Sequence, residues 1–195
     1  LLELTMKQET LGYSIGEVFD LLASVYADLE AFAATLTQRL AAADWNDCYP
    51  VKISQWKYER DYYALYSPKT VANAKTLEYA VMVQLRLANT DFSQEPLLLA
   101  AAISFGRLIP VADAWGPWTK GGGHDVMQYL LREGNGVEIP RDVFKNGFAP
   151  AGKRAFGLAI PLCSLQDSNE VQIRVIEPVL VCAANVGYKA KSGKR

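Results

Sequence analysis

An apolar repeat between residues 15 and 40 constrains this chain more than any other feature of its sequence. Eight residues recur there at alternating intervals of four and three: Ile15, Phe19, Leu22, Tyr26, Leu29, Ala33, Leu36 and Leu40. This spacing places them on one side of an α-helix. Ser14 and Glu17 have the spacing of a capping box, which satisfies free backbone N–H groups where a helix starts. The sequence therefore predicts a helix over residues 14–42 with an apolar side that must be covered.

Two kinds of cover are compatible with this helix. A second apolar row, formed by Val18, Leu21, Val25 and Phe32, makes the stripe wide enough to lie across a sheet or between two neighbours. Residues 1–48 carry a net charge of −6 and residues 49–195 a net charge of +5. Such asymmetry fits docking of the acidic segment on the rest of the chain, or binding to a partner. Core packing is the favoured interpretation, and self-association is the alternative.

The middle of the chain predicts a β-hairpin. Residues 77–87 alternate between apolar and polar side chains, which is typical of a strand with one buried face. Residues 89–96 form a polar loop, and residues 97–105 form a second apolar run. We therefore expect two antiparallel strands in these positions.

The sequence patterns that predict the remaining elements are less regular. Residues 154–160 and 171–182 both alternate, and Pro178 indicates an edge or a bulge in the second of these predicted strands. We also expect a strand near residues 51–56, a turn at 67–69, a loop at 110–123, a helix at 124–132, an edge strand at 136–140 and a turn at 146–147.

These elements together predict an α+β fold. Turns rather than crossover helices join most of the strands, which favours an antiparallel sheet. We expect about five to six strands packed against the long N-terminal helix and one or two shorter helices. A single domain would span residues 1–186, with the acidic helix at about 14–42 and a sheet-rich body at about 50–186. Residues 187–195 form a basic tail without apolar periodicity, which we expect to be flexible.

Composition excludes several classes of protein. No run of about 18 apolar residues is present, so we expect no membrane span, and the first residues lack the pattern of a secretory signal. Cys48, Cys163 and Cys182 are an odd number at wide spacing, which favours buried thiols over a disulfide framework or a cysteine-only zinc site. A single histidine excludes zinc motifs that need two. We therefore expect a cytoplasmic protein without a metal or a cofactor.

A glycine-rich segment offers a candidate phosphate site. Lys120, Gly121, Gly122 and Gly123 directly precede a predicted helix. Free backbone N–H groups and the helix dipole can hold an anion there, and the lysine adds a positive charge. The spacing is not that of a P-loop, in which the lysine follows the glycines. An ordinary loop therefore stands beside phosphate binding as an interpretation.

His124 is the one weak candidate for a catalytic residue. It is the only histidine of the chain, and histidine is suited to proton transfer near neutral pH. A pair with Cys163 or Cys48 would activate a thiol, but nothing in the sequence brings these residues together. A nucleophile elbow of the form Gly-x-Ser-x-Gly is absent. A histidine at the surface is the simpler interpretation.

Basic and aromatic residues are mixed between residues 52 and 66. The candidates for a binding surface in this segment are Lys52, Trp56, Lys57, Tyr58, Arg60, Tyr62, Tyr63 and Tyr66. Cations neutralise phosphates and aromatic faces stack on unpaired bases, so the mixture fits single-stranded nucleic acid. The same tyrosines also fit a protein interface or ordinary core packing. All three interpretations remain open at this point.

The functional hypothesis from the sequence is a non-enzymatic interaction protein or assembly subunit. It would act through the long N-terminal helix and an aromatic-rich surface, with a protein partner or further copies of the chain. The alternative is a protein that binds nucleic acid or nucleotide phosphate through basic and aromatic residues of the C-terminal body. An enzyme is the less favoured interpretation.

Overall fold

The computed structural model describes residues 2–49, 61–68, 75–87, 96–117, 123–143 and 154–189. The first element, α1, spans Leu2–Ala42, so the predicted helix exists and begins before Ser14. Asp44 then adopts a left-handed backbone conformation with a φ of 67°, which aspartate tolerates better than most residues. This residue lies between α1 and the first strand.

Six strands form one antiparallel sheet. They are β1 (Trp45–Tyr49), β2 (Asp61–Pro68), β3 (Thr76–Arg86), β4 (Leu97–Pro110), β5 (Val137–Glu138) and β6 (Arg154–Pro161). Their order across the sheet is β1-β2-β3-β4-β6-β5, and each neighbouring pair is antiparallel. The predicted hairpin is β3 and β4, and the predicted edge strand is β5. The α+β prediction with an antiparallel sheet is confirmed.

Helices cover both faces of this sheet. The helices after α1 are α2 (Val111–Pro117), α3 (Gly123–Glu133), α4 (Ser168–Val171) and α5 (Glu177–Asn185), with a π-helical segment, Gln172–Ile176, between the last two. One buried cluster joins α1, α4 and α5 to one face of the sheet. A second cluster joins α2 and α3 to the other face. The sheet is therefore the middle of three layers.

The prediction that β3 is half-buried is wrong, because helices cover both faces of the sheet. Met82 and Gln84 belong to the more polar side of the predicted alternation, yet both are buried. The Gln84 side-chain amide donates a hydrogen bond of 3.4 Å to the hydroxyl of Tyr63 on β2. Alternation reveals which face of a strand is more polar, but only the helices on that face decide whether water reaches it.

The prediction of a strand at residues 171–182 is wrong, because this region is helical. Asp167 begins it as an N-cap and accepts hydrogen bonds from the backbone N–H groups of Asn169 and Glu170 at 2.7 and 2.8 Å. The N–H of Glu177 bonds the carbonyl of Gln172, five residues back, just before Pro178. Proline has no N–H and crowds the carbonyl four residues back, which interrupts a regular α-helix. The π-helical turn lies directly before this interruption.

Three smaller predictions need correction or lie outside the described residues. Ser67 and Pro68 are the end of β2, paired with β1, rather than a turn. Residues 111–117 of the predicted loop form α2. The strand predicted at 51–56 and the turn predicted at 146–147 lie outside the described residues.

The start of the predicted tail packs against the body. Gly187, with a φ of 97°, follows α5, and the N–H of Tyr188 bonds the carbonyl of Ala183 at 3.0 Å. This arrangement is a Schellman motif, which favours glycine because of its left-handed conformation. The Tyr188 ring lies 4.9 Å from that of Trp45, measured between centroids. The packed body therefore reaches Tyr188, and residues 190–195 lie outside the described part of the chain.

Candidate interaction surface

The C-terminal half of α1 is embedded in the body. Leu36 and Leu40 are each 1% exposed, and Leu29 and Ala33 are also buried. These are the last four members of the predicted repeat, and they pack in the cluster that joins α1 to the sheet and to α5. This half of the helix obtains its cover from its own chain.

A polar contact fixes the embedded half to β2. The hydroxyls of Thr37 and Tyr66 share a hydrogen bond of 3.0 Å. Burial raises the pKa of Tyr66 to about 12; the hydrogen bond with Thr37 acts in the opposite direction, and the charge of Asp47 raises the pKa further. Tyr66 is therefore a neutral core residue at physiological pH.

The preceding part of α1 is exposed. Of the described side chains between residues 17 and 28, only that of Tyr26 is partly buried, and the rest are exposed. Leu21 is 64% exposed and Val25 is 40% exposed. Both belong to the second apolar row of the predicted stripe, which continues past the edge of the body. We call residues 17–28 the exposed segment of α1.

Acidic residues accompany the apolar ones on the exposed segment. Glu17, Asp20 and Asp28 are all exposed, and residues 17–28 contain no lysine or arginine. Apolar residues with a polar rim are the usual composition of a protein interface. Large exposed apolar side chains also occur on other elements, at Leu108, Leu131, Ile173 and Val181.

A cleft of about 410 Å³ lies where α1 meets the body. Its lining consists of Asp28, Ala31, Phe32 and Thr35 from α1, and of Leu165, Gln166, Asp167, Ser168 and Val171 from the other side. Two of its polar groups are already used by their own helices, because the Thr35 hydroxyl donates to the carbonyl of Ala31 at 2.9 Å and Asp167 caps α4. The cleft thus continues the exposed segment toward the body.

The structure gives limited information on the glycine-rich segment. Lys120, Gly121 and Gly122 lie outside the described residues. Gly123 is the first residue of α3, and the predicted helix at 124–132 is confirmed. Asp125 lies in the first turn, where a carboxylate interacts favourably with the helix dipole and would oppose a second anion. Phosphate binding at this segment stays a prediction.

The structure gives limited information on a pairing of His124 with a cysteine. His124 is the second residue of α3, and its side chain is not described. Cys48 shares a hydrogen bond of 2.8 Å with the Ser67 hydroxyl, Cys163 is exposed, and burial raises the pKa of the Cys182 thiol to about 11. A raised pKa makes a thiolate, and so a nucleophile, less accessible at neutral pH. The catalytic role of His124 stays a prediction.

The described side chains also contain no group of three or more His, Cys, Asp or Glu residues able to hold a metal ion. All three cysteines of the chain are described, and no disulfide joins them. Within the described ranges, no helix combines the length and the apolar character needed to cross a membrane.

Two tyrosines of the basic and aromatic segment are core residues. Tyr62 and Tyr66 are fully buried against the face of the sheet that α1 covers, so core packing is the correct interpretation for both. Tyr63 points to the opposite face and is partly buried beside the second cluster. The sequence signal for this was the alternation of Tyr62, Ala64 and Tyr66 in a strand. The other candidates, Lys52, Trp56, Lys57, Tyr58 and Arg60, lie outside the described residues.

Comparisons with known proteins add no assignment. Neither the family models nor the curated proteins nor the solved structures contain a match to this chain.

Proposed function

We propose that this chain is a non-enzymatic interaction protein that acts by burying the exposed segment of α1 against another protein or another copy of itself. One observation carries the proposal. The apolar stripe of a continuous helix is covered by the body at Leu29, Leu36 and Leu40, and is open at Leu21 and Val25.

The energetics of a single helix support this proposal. Most helical stability in proteins comes from packing of the apolar side of the helix against other elements. Burying an exposed leucine or valine contributes about 1.5–3 kcal/mol. Cover for Leu21 and Val25 would therefore stabilise both the helix and the complex.

The charge of the exposed segment favours protein over nucleic acid as its partner. Glu17, Asp20 and Asp28 would repel phosphates, and no basic residue in this segment offsets them. The alternative of nucleic-acid or phosphate binding rests on residues 52–60 and 120–123, and the buried Tyr62 and Tyr66 do not contribute to it. Location in the cytoplasm is part of the proposal, and three cysteines without a disulfide support it.

Paired substitutions test the proposal. Leu21→Gln with Val25→Gln removes the apolar character of the exposed segment, and Ile173→Gln with Val181→Gln is the matched control on exposed positions elsewhere. Size-exclusion chromatography with light scattering should show an assembly larger than one chain for the wild type and for the control. The first double variant should be a monomer that still unfolds cooperatively on heating, which shows that its body remains folded.

Two results would contradict the proposal. One is a wild-type chain that remains monomeric and forms no stable complex with any protein. The other is an assembly that persists in the Leu21→Gln, Val25→Gln variant. Labelled single strands test the alternative function, since tight binding at low salt that weakens steeply with added salt would favour it.

A further inference from the structure

A second heptad seam runs along α1 beside the one that faces the body. Its d positions are Leu4, Leu11, Val18, Val25 and Phe32, and its a positions are Gln8, Ile15, Leu22, Leu29 and Leu36. Intervals of three and four alternate throughout, and Gln8 is the single polar member. The backbone is helical across the whole set, from Leu2 to Ala42. A sustained repeat of this kind is the requirement for a coiled coil.

The body covers one end of this seam and leaves the described part beyond it open. Leu29 and Leu36 are buried, and Phe32 is partly buried against the core. Val25 is open, and so is Leu21, which occupies the flanking g position. The open surface therefore coincides with the side of the helix on which the second seam lies.

We propose that a second copy of this chain covers this seam, with residues 7–28 of the two α1 helices paired in an antiparallel coiled coil. This inference rests on the function proposed above and names the partner. Antiparallel pairing sets each a position opposite a d position of the other copy. The register sets Leu11 opposite Leu22, Ile15 opposite Val18, and Gln8 opposite Val25.

The residues that flank the seam fit this register in charge. Lys7 occupies a g position, and the antiparallel register sets it opposite the g position of Asp28 in the second copy. Lys7 is the only basic residue before Arg39 in the chain, and Asp28 is exposed. The twofold symmetry of a homodimer makes two such pairs. Opposite charges at flanking positions are a main determinant of partner and orientation in coiled coils.

The flanking residues also fit in size. Gly12 lies opposite Phe19 of the second copy, and Ser14 lies opposite Leu21. A small residue thus meets each large one, which gives room for Phe19 and for the open Leu21 beside the seam.

A parallel dimer lacks the charge match. Parallel pairing in register sets Lys7 across from Gly12, Leu21 across from Tyr26, and Asp28 across from Ala33. It also sets two bodies side by side at one end of the rod, whereas the antiparallel dimer separates them. In the antiparallel arrangement, residue 4 of the second copy lies level with Leu29, next to the cleft lined by Asp28 and Phe32.

A charge exchange tests the orientation. Lys7→Glu and Asp28→Lys, each alone, set like charges opposite each other and should raise the dissociation constant of the dimer by roughly 3- to 30-fold. The double variant restores both pairs and should return the dissociation constant to within about threefold of wild type. Analytical ultracentrifugation provides the constants at low salt, where surface charge pairs are least screened.

A distance measurement tests the same geometry independently. A nitroxide at Gln38→Cys, an exposed position, is attached in a chain with Cys48→Ser and Cys163→Ser. At a rise of 1.5 Å per residue, the two labels should be about 65 Å apart along the antiparallel rod, against roughly 20–30 Å in a parallel dimer. Pulsed electron paramagnetic resonance measures distances in both ranges.

The outcomes separate this inference from the proposed function. Two results would overturn the antiparallel pairing and leave the interaction function in place. One is a distance of roughly 20–30 Å between the labels. The other is a dimer of the Lys7→Glu, Asp28→Lys variant that remains weaker than wild type, while the Leu21→Gln, Val25→Gln variant is a monomer. A monomeric chain that binds a different protein through Leu21 and Val25 would do the same. A monomer without any partner would overturn both.

Discussion

The two halves of α1 share one apolar repeat but have opposite surroundings. From Leu29 to Leu40, the repeat is buried in the cluster that joins α1 to the sheet and to α5. Between residues 17 and 28, the described side chains are mostly exposed, and these include Leu21 and Val25. The difference shows that periodicity determines which side of a helix is apolar, whereas the reach of the body determines how much of that side is covered.

Polar residues in the two halves also differ. In the embedded half, the Thr37 hydroxyl is bonded to Tyr66 of β2. In the exposed segment, Glu17, Asp20 and Asp28 face solvent without any basic residue among them. Buried polar groups generally need a partner within the fold, whereas exposed charges limit which partners can approach.

The largest expected effect tests the embedded half. Leu36→Ala should lower the free energy of unfolding by about 2–5 kcal/mol, because it leaves a cavity in a packed core. Leu21→Ala should change it by no more than about 0.5 kcal/mol when the chain is monomeric. Urea denaturation of both variants at low protein concentration measures the difference. Equal effects at the two positions would remove the distinction between the halves.

The opposite face of the sheet provides a second test of helix cover. A Cβ atom at Gly157 of β6 would lie 2.9 Å from the Leu130 side chain of α3 and 3.0 Å from the Ala100 carbonyl. Gly157→Val should therefore cost about 1–3 kcal/mol of stability, and Gly157→Ala should cost less. Thermal unfolding of the two variants gives the order. A stabilised Gly157→Val variant would mean that α3 does not lie this close to the sheet.

The contact between α1 and β2 should give stability a specific pH dependence. The pKa of Tyr66 is about 12 in the folded chain and 10.0 ordinarily, so the unfolded chain loses this proton first as pH rises. The contribution is complete below pH 10 and is lost as pH rises toward 12. From pH 9 to pH 11, the loss is roughly 1 kcal/mol, and it should be absent in Tyr66→Phe.

The comparison of wild type with Tyr66→Phe isolates this effect, because the other nine of the ten tyrosines are common to both chains. Denaturation at the two pH values gives four free energies of unfolding. A wild type that loses no more stability than the variant would show that Tyr66 is not buried as neutral phenol.

The smallest expected effect is on local opening. Backbone amides of residues 17–28 should exchange hydrogen faster than those of residues 33–40 when the chain is monomeric, since local opening is easiest where few apolar contacts hold an element. Raising the protein concentration should slow exchange in the exposed segment if the two copies pair. Exchange measured by mass spectrometry at two concentrations tests this, and uniform protection at both would contradict it.

Much of the fold was predictable where a single period dominates the sequence. The hairpin of β3 and β4 follows from alternation, and α1 follows from the heptad repeat. The region from Val171 to Cys182 was misread because its apolar residues fit both periods. Val171, Val175 and Val179 recur every four residues and are buried, while Ile173 and Val181, which completed the apparent alternation, are exposed.

The candidate surface was only partly predictable. Leu21 and Val25 were recognisable as members of an apolar row, and the tyrosines of residues 52–66 were recognisable as candidates for packing or binding. Neither pattern shows how far along α1 the folded body covers the helix. The burial of Tyr62 and Tyr66 and the exposure of Leu21 depend on contacts between residues far apart in the chain.

The order of neighbouring side chains was enough to predict a long, acidic helix with a wide apolar side followed by an antiparallel sheet, because both elements follow from the periods of those side chains. The folded chain was needed to show that helices cover both faces of the sheet and that the body leaves most of the exposed segment of α1 uncovered. Periodicity is a local property, whereas burial depends on what the folded chain brings to each face.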